Sequence, residues 1–79
     1  MKNITMSQLE ELGFKVVKSY THDEYVTQRR NKGCITIETT WDLTQGGKFV
    51  SQDAIIETEY FEHFSYEDLQ VLDAILNNQ

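Results

Sequence analysis

The sequence has no proline, one cysteine and four glycines. No apolar run approaches the ~18 residues that a membrane-spanning helix needs. Each scarcity excludes something. With Cys34 alone no intrachain disulfide forms, and small secreted domains ordinarily depend on such cross-links. Without proline, low-complexity stretches or internal repeats, no linker divides the chain, and residues 1–79 read as one domain. The opening residues, 1–6, are short and polar and do not read as a signal peptide, so the expected compartment is the cytoplasm. Basic residues are absent from 53–79, where seven acids stand alone; the first 52 residues hold all seven bases against six acids. A net charge of −6 disfavours phosphate backbones and anionic membranes and tolerates basic protein partners.

What is present is enough for one small core. A chain of 79 residues buries only about 60–65% of its unfolded surface. That leaves a thin stability margin and little room for a cofactor cavity, and no cofactor is expected. Thr5 with Gln8, or Ser7 with Glu10, has the spacing of a helix-capping box; Leu9 and Leu12 share one face, and Gly13 supplies a left-handed stop. Strands are expected at about 14–20, 25–30, 34–43 and 49–60, with turns at Thr21-His22-Asp23-Glu24, Asn31-Lys32-Gly33 and Gln45-Gly46-Gly47. Ile35, Ile37 and Trp41 alternate with Thr36, Glu38 and Thr40, giving one apolar and one polar face. Ser65 followed by Asp68 caps a last helix whose inward stripe is Leu69, Leu72, Ile75 and Leu76.

The expected fold is therefore α+β: a four-stranded antiparallel meander, a short N-terminal helix, and a C-terminal helix packed on one sheet face. A two-residue turn at Gln45-Gly46 sets Ile35 opposite Ile56, Ile37 opposite Ala54 and Trp41 opposite Val50. The hairpin before strand three has two open registers. We take the one that turns Val26 inward, because burying Arg29 without a partner is costly.

In that register the opposite sheet face carries Tyr25, Thr27, Arg29, Thr36, Glu38, Ile55 and Glu57, with Phe49 near one end. These eight are the candidate partner-binding residues. Ile55 and Phe49 are apolar on a polar face, as partner sites are. Alternatively, a bulge in strand four turns Ile55 inward, or Tyr60, Phe61 and Phe64 fold over it. Strands one and four are the open edges. Edge pairing into a homodimer is open to the chain, although Glu57 and Glu59 guard strand four.

Arg29, Arg30 and Lys32 near Tyr25 form the one cluster that favours single-stranded nucleic acid, against the acidity of the chain as a whole. His22 with Asp23 and Glu24, and His63 near Glu59 and Glu62, are the only histidine–carboxylate groupings; their spacing fits no metal-ligand pattern, and we read both histidines as surface residues. Cys34 begins a strand with no histidine near it in sequence, and reads as an inert thiol. No nucleophile–base set or phosphate loop is visible, and no enzymatic activity is expected.

The cast of residues 7–14, ending in Leu12-Gly13-Phe14, and the run from Gly33 to Trp41 resemble short uncharacterised proteins of bacterial and prophage genomes. The resemblance implies an accessory or interaction role and brings no site residue with it.

Overall fold

In the computed structural model, which describes residues 3–77, Thr5 starts the first helix, α1 (Met6–Leu12). The Thr5 hydroxyl accepts from the Gln8 amide, and the Gln8 side chain accepts from the Thr5 amide, so the first of the two candidate capping boxes is the one formed. Gly13, at φ +97°, closes the helix by donating to Glu10 and Leu9 carbonyls. A seven-residue helix has little stability of its own and depends on docking the fully buried Leu9. The reading of residues 1–6 as a polar opening begins at Met1 and Lys2, which lie outside the described residues.

Five antiparallel strands follow in the order β1-β2-β3-β4-β5: β1 (Lys15–His22), β2 (Tyr25–Lys32), β3 (Ile35–Asp42), β4 (Lys48–Ile56) and β5 (Glu59–Phe61). A 3-10 turn over Leu43–Gln45 joins β3 to β4, and α2 (Tyr66–Leu76) ends the chain behind the Ser65–Asp68 capping box. The α+β class is as expected, but the sheet has five strands, not four. The expected fourth strand breaks at Glu57-Thr58, where Glu57 takes a left-handed φ of +58° and reverses the chain. That makes β4 an inner strand along residues 54–56, so β5, and not the whole of strand four, forms that edge.

The register explains which side is buried. Lys32 pairs with Ile35 across a two-residue turn, Gly33-Cys34, and Val26 therefore lies on the apolar side. Ile35 faces Ile56 and Ile37 faces Ala54 as expected, but not across a two-residue turn at Gln45-Gly46: Asp42 pairs with Lys48, so residues 43–47 join the strands, and the bulge beside Trp41 brings the register back into step. Trp41 pairs with Phe49 and not Val50, because a bulge falls between Thr40 and Trp41. The bulge turns Phe49 to the Trp41 side, which corrects its placement on the polar face.

The core consists of Ile4, Leu9, Phe14, Ile35, Ile37, Ala54, Phe64 and Leu69. Both helices thus cover the same face, with Met6, Leu12, Leu72 and Leu76 packed at the margin. Ile75, expected inward, is exposed, leaving α2 with a narrower stripe of Leu69, Leu72 and Leu76.

Polar ties hold the helices to the sheet. The Lys32 ammonium bonds Asp73 at 2.7 Å. Burial pushes the Asp73 carboxyl up, but hydrogen bonds from Lys32 and Asn77 outweigh it and leave the group below its ordinary value. This tie therefore stabilises the fold above the ordinary carboxylate range and is lost as pH falls through the lowered value. Asn77 accepts from the Cys34 amide and donates to the Lys32 carbonyl, clamping the β2–β3 turn to the end of α2.

Gly33 sits under that clamp at φ +58°, and a Cβ there would collide with the Asn77 carboxamide. Gly33→Ala is expected to cost about 2 kcal/mol from left-handed strain and the displaced clamp. In an Asn77→Ala background the same change should cost less, since one of the two penalties is gone. A denaturation double-mutant cycle checks this; equal costs in both backgrounds would show that the contact is immaterial.

Candidate interaction face

Among the described residues no element covers the other sheet face, and strand alternation fixes what it displays. On the β1–β2 half stand Lys18, Tyr20, His22, Tyr25 and Arg29, since Lys18 pairs with Arg29, Tyr20 with Thr27 and His22 with Tyr25. Tyr20, His22 and Tyr25 form a row with successive ring centroids 5.4 and 5.9 Å apart, and the Lys18 ammonium lies 4.9 Å from the Tyr20 ring centre. Beneath the row, Thr27 is only 2% exposed. Its hydroxyl lies 3.0 Å from the His22 Nε2 and 2.9 Å from the Thr40 hydroxyl. Thr27 thus supports the row from below and offers little surface of its own to a partner.

The β3–β5 half carries Thr36, Glu38, Asp53, Ile55 and Tyr60. Ile55 is half-buried and pairs with Thr36 on one side and Tyr60 on the other. The bulge in β4 lies at the Phe49 end, so it does not rotate Ile55 inward; Phe64 is in the core below the sheet, and Tyr60 lies beside Ile55 on the same face. Arg29 bridges the halves by donating to Glu38 at 2.6 Å, a bond that raises the guanidinium above its already high value. Asp53 stands directly opposite Glu38. Burial first, then Glu62 and Glu38, push its carboxyl above the ordinary range.

Of the eight candidate residues, the structure brings Tyr25, Thr27, Arg29, Thr36, Glu38 and Ile55 onto this face. Phe49 is turned to the other side by the bulge, and Glu57 is in the β4–β5 turn. Sequence reasoning missed Lys18, Tyr20 and Tyr60. The alternation of β1 does place Lys18 and Tyr20 with His22, but only once the turn is narrowed to Asp23-Glu24.

Arg29, Arg30 and Lys32 are not brought together. Arg30 and Lys32 lie on the helix side with Val26, where Arg30 donates to Met6 Sδ and Glu10 and Lys32 to Asp73. Each cation of the supposed cluster is thus paired with a carboxylate. Among the described residues no three His, Cys, Asp or Glu side chains are grouped to hold a metal, and no helix is long and apolar enough to cross a membrane. Cys34 is exposed at the β2–β3 turn, its thiol 3.4 Å from the Asn77 Oδ1.

Asp53 carries a further expectation. A carboxyl raised in the folded state stabilises the fold below its ordinary range, and that contribution is lost as pH rises through the folded value. At neutral pH the ionised form is a liability. Asp53→Asn should therefore raise the urea midpoint at pH 7, with the gain shrinking toward pH 4; a lower midpoint at pH 7 would contradict this account.

The arrangement defines a small antiparallel α+β domain with one bare, tyrosine-bearing sheet face. No protein-family model, curated protein or solved structure matches the chain.

Proposed function

We propose that this chain is a non-enzymatic, cytoplasmic accessory domain that binds a protein partner through its uncovered sheet face. One observation carries the reading: a face that no element among the described residues covers displays Tyr20 and Tyr25 on its β1–β2 half and Tyr60 beside a half-buried Ile55 on the other. Tyrosine supplies large contact area at small entropic cost, and such residues concentrate at protein interfaces. Cations on one half (Lys18, Arg29) and carboxylates on the other (Glu38, Asp53) give the face a fixed polarity for orienting a partner. A single-stranded nucleic acid is disfavoured, since Arg30 and Lys32 face away from the aromatic row.

Photo-cross-linking amino acids placed at Tyr25 and Tyr60 test the reading, with Gln70 on the outer side of α2 as control. The expected result is one discrete adduct of the same mass from both sheet positions, absent from Gln70 and lost on Ile55→Lys. No adduct, or the same adduct from Gln70, would dispose of the reading. An adduct of twice the chain mass would identify the partner as a second copy.

A further inference from the structure

β5 pairs only Ala54, Ile55 and Ile56 of the nine-residue β4. Along residues 48–53 the outer side of β4 has no strand partner among the described residues. Ladder alternation settles which groups lie there. Ile56 and Glu59 flank a two-residue turn and face one another, so Ile56, Ala54 and Gln52 all direct their backbone N–H and C=O to the β5 side. Gln52, lying beyond the end of β5, thus offers a donor and an acceptor on a bare edge, the template to which an extended chain adds a strand.

Beyond Phe61 the chain swings away to bury Phe64, and a groove of about 370 Å³ opens between β4, residues 62–64 and Asn3. Its two ends differ in chemistry. At one, Phe49 and Val50 are 38% and 48% exposed. At the other, Asp53 and Glu62 line the wall, and Glu38 beside them is already bound by Arg29. No ion pair reaches Asp53 or Glu62 among the described residues.

We propose that this groove and the bare edge of β4 take an extended cationic peptide segment, which adds as a strand in line with β5. It sets a lysine or arginine beside Asp53 and Glu62 and an apolar side chain against Phe49 and Val50. Ala54 pairs with Phe61, so Glu62 stands at the level of Asp53 and the added strand begins opposite Gln52; a lysine or arginine opposite Ser51 shares the sheet face of Asp53 and reaches diagonally to where three carboxylates crowd. The incoming charge relieves the penalty that burial and like-charged neighbours place on ionised Asp53. Six edge residues span roughly 20 Å, enough to hold a short segment. The net charge of −6 adds attraction at a distance. This site is distinct from the tyrosine row and goes beyond the reading given above.

The test uses a fluorescent eight-residue peptide alternating lysine with valine, and a fully N-methylated version of the same sequence that cannot pair with a strand. Fluorescence anisotropy at low salt should show the parent binding about tenfold tighter than the N-methylated peptide. Asp53→Asn should weaken the parent about fivefold. Tyr25→Glu, on the far half of the sheet, should change its affinity by less than about twofold. Hydrogen exchange at the Gln52 amide should slow when the parent is bound. Equal binding of the two peptides would reveal generic attraction to an acidic chain and overturn the proposal. So would an absence of binding, an unchanged affinity in Asp53→Asn, or a Gln52 amide that exchanges as before. Because Asp53→Asn is expected to fold at least as well as the parent protein, weakened binding is not attributable to unfolding. The cross-linking result at Tyr25 and Tyr60 is independent of all these outcomes.

Discussion

Phe14→Ala should cost about 3–5 kcal/mol, the usual penalty for emptying a large aromatic site in a core. Phe14 is 1% exposed and follows directly on Gly13, and its amide donates to the Leu9 carbonyl at 2.9 Å. It belongs to the cluster that joins α1, the inner strands and α2. Folded domains have about 0.05–0.15 kcal/mol of stability per residue, which places a chain of this size at roughly 4–12 kcal/mol. The substitution therefore removes a large share of the total. Urea denaturation followed by circular dichroism should show the variant partly or wholly unfolded without denaturant, while Phe14→Leu should lose less than about 2 kcal/mol. A loss below about 1 kcal/mol for the alanine variant would mean that the cavity closes freely and that the core is not centred there.

Gln52→Ala is expected to cost about 2–4 kcal/mol by a different route. The Gln52 side chain accepts from the Ile4 amide and donates to the Ile4 carbonyl, both at 2.8 Å, and donates to the Thr39 hydroxyl at 3.2 Å. One carboxamide thereby satisfies both backbone groups of a buried residue, as a neighbouring strand would. Truncating it leaves a buried donor and a buried acceptor without partners, each worth about 1–3 kcal/mol. Releasing the segment into water instead exposes Ile4, which is 1% accessible in the native fold. Hydrogen exchange at the Ile4 amide separates the two responses: release predicts fast exchange there with the sheet amides still protected. A variant that unfolds at the parent's urea midpoint would show that this anchor carries no stability.

The sheet's apolar side was readable because it depends on local pattern. Ile35, Ile37, Ala54 and Ile56 repeat every second residue across a short connection, which fixes their register without tertiary information. The capping box at Ser65 is readable for the same reason. The misread features rest on partners distant in sequence or on rare backbone states. Glu57 adopts a left-handed turn without the glycine or asparagine that usually marks one, so β4 and β5 read as one strand. Turning Val26 inward also turns Arg30 and Lys32 inward, and what makes that tolerable is Glu10, 20 residues away, and Asp73, 41 residues away. The bulge beside Trp41 leaves no trace in the alternation, and with it went the placement of Phe49. At the candidate face, Tyr25, Arg29, Glu38 and Ile55 were legible from parity alone. Tyr60 was not, because its position depends on the unmarked turn.

Every strand pairs with its neighbour in sequence, whereas the anchors that fasten the ends span 41 to 48 residues. Closing a short loop costs less entropy than closing a long one, and nearby pairings form faster. The meander should therefore assemble first, with Ile4 and Asn77 locking late. Substitutions at Gln52 or Asn77 should then speed unfolding while scarcely slowing refolding, whereas substitutions within the β2–β3 hairpin should slow refolding.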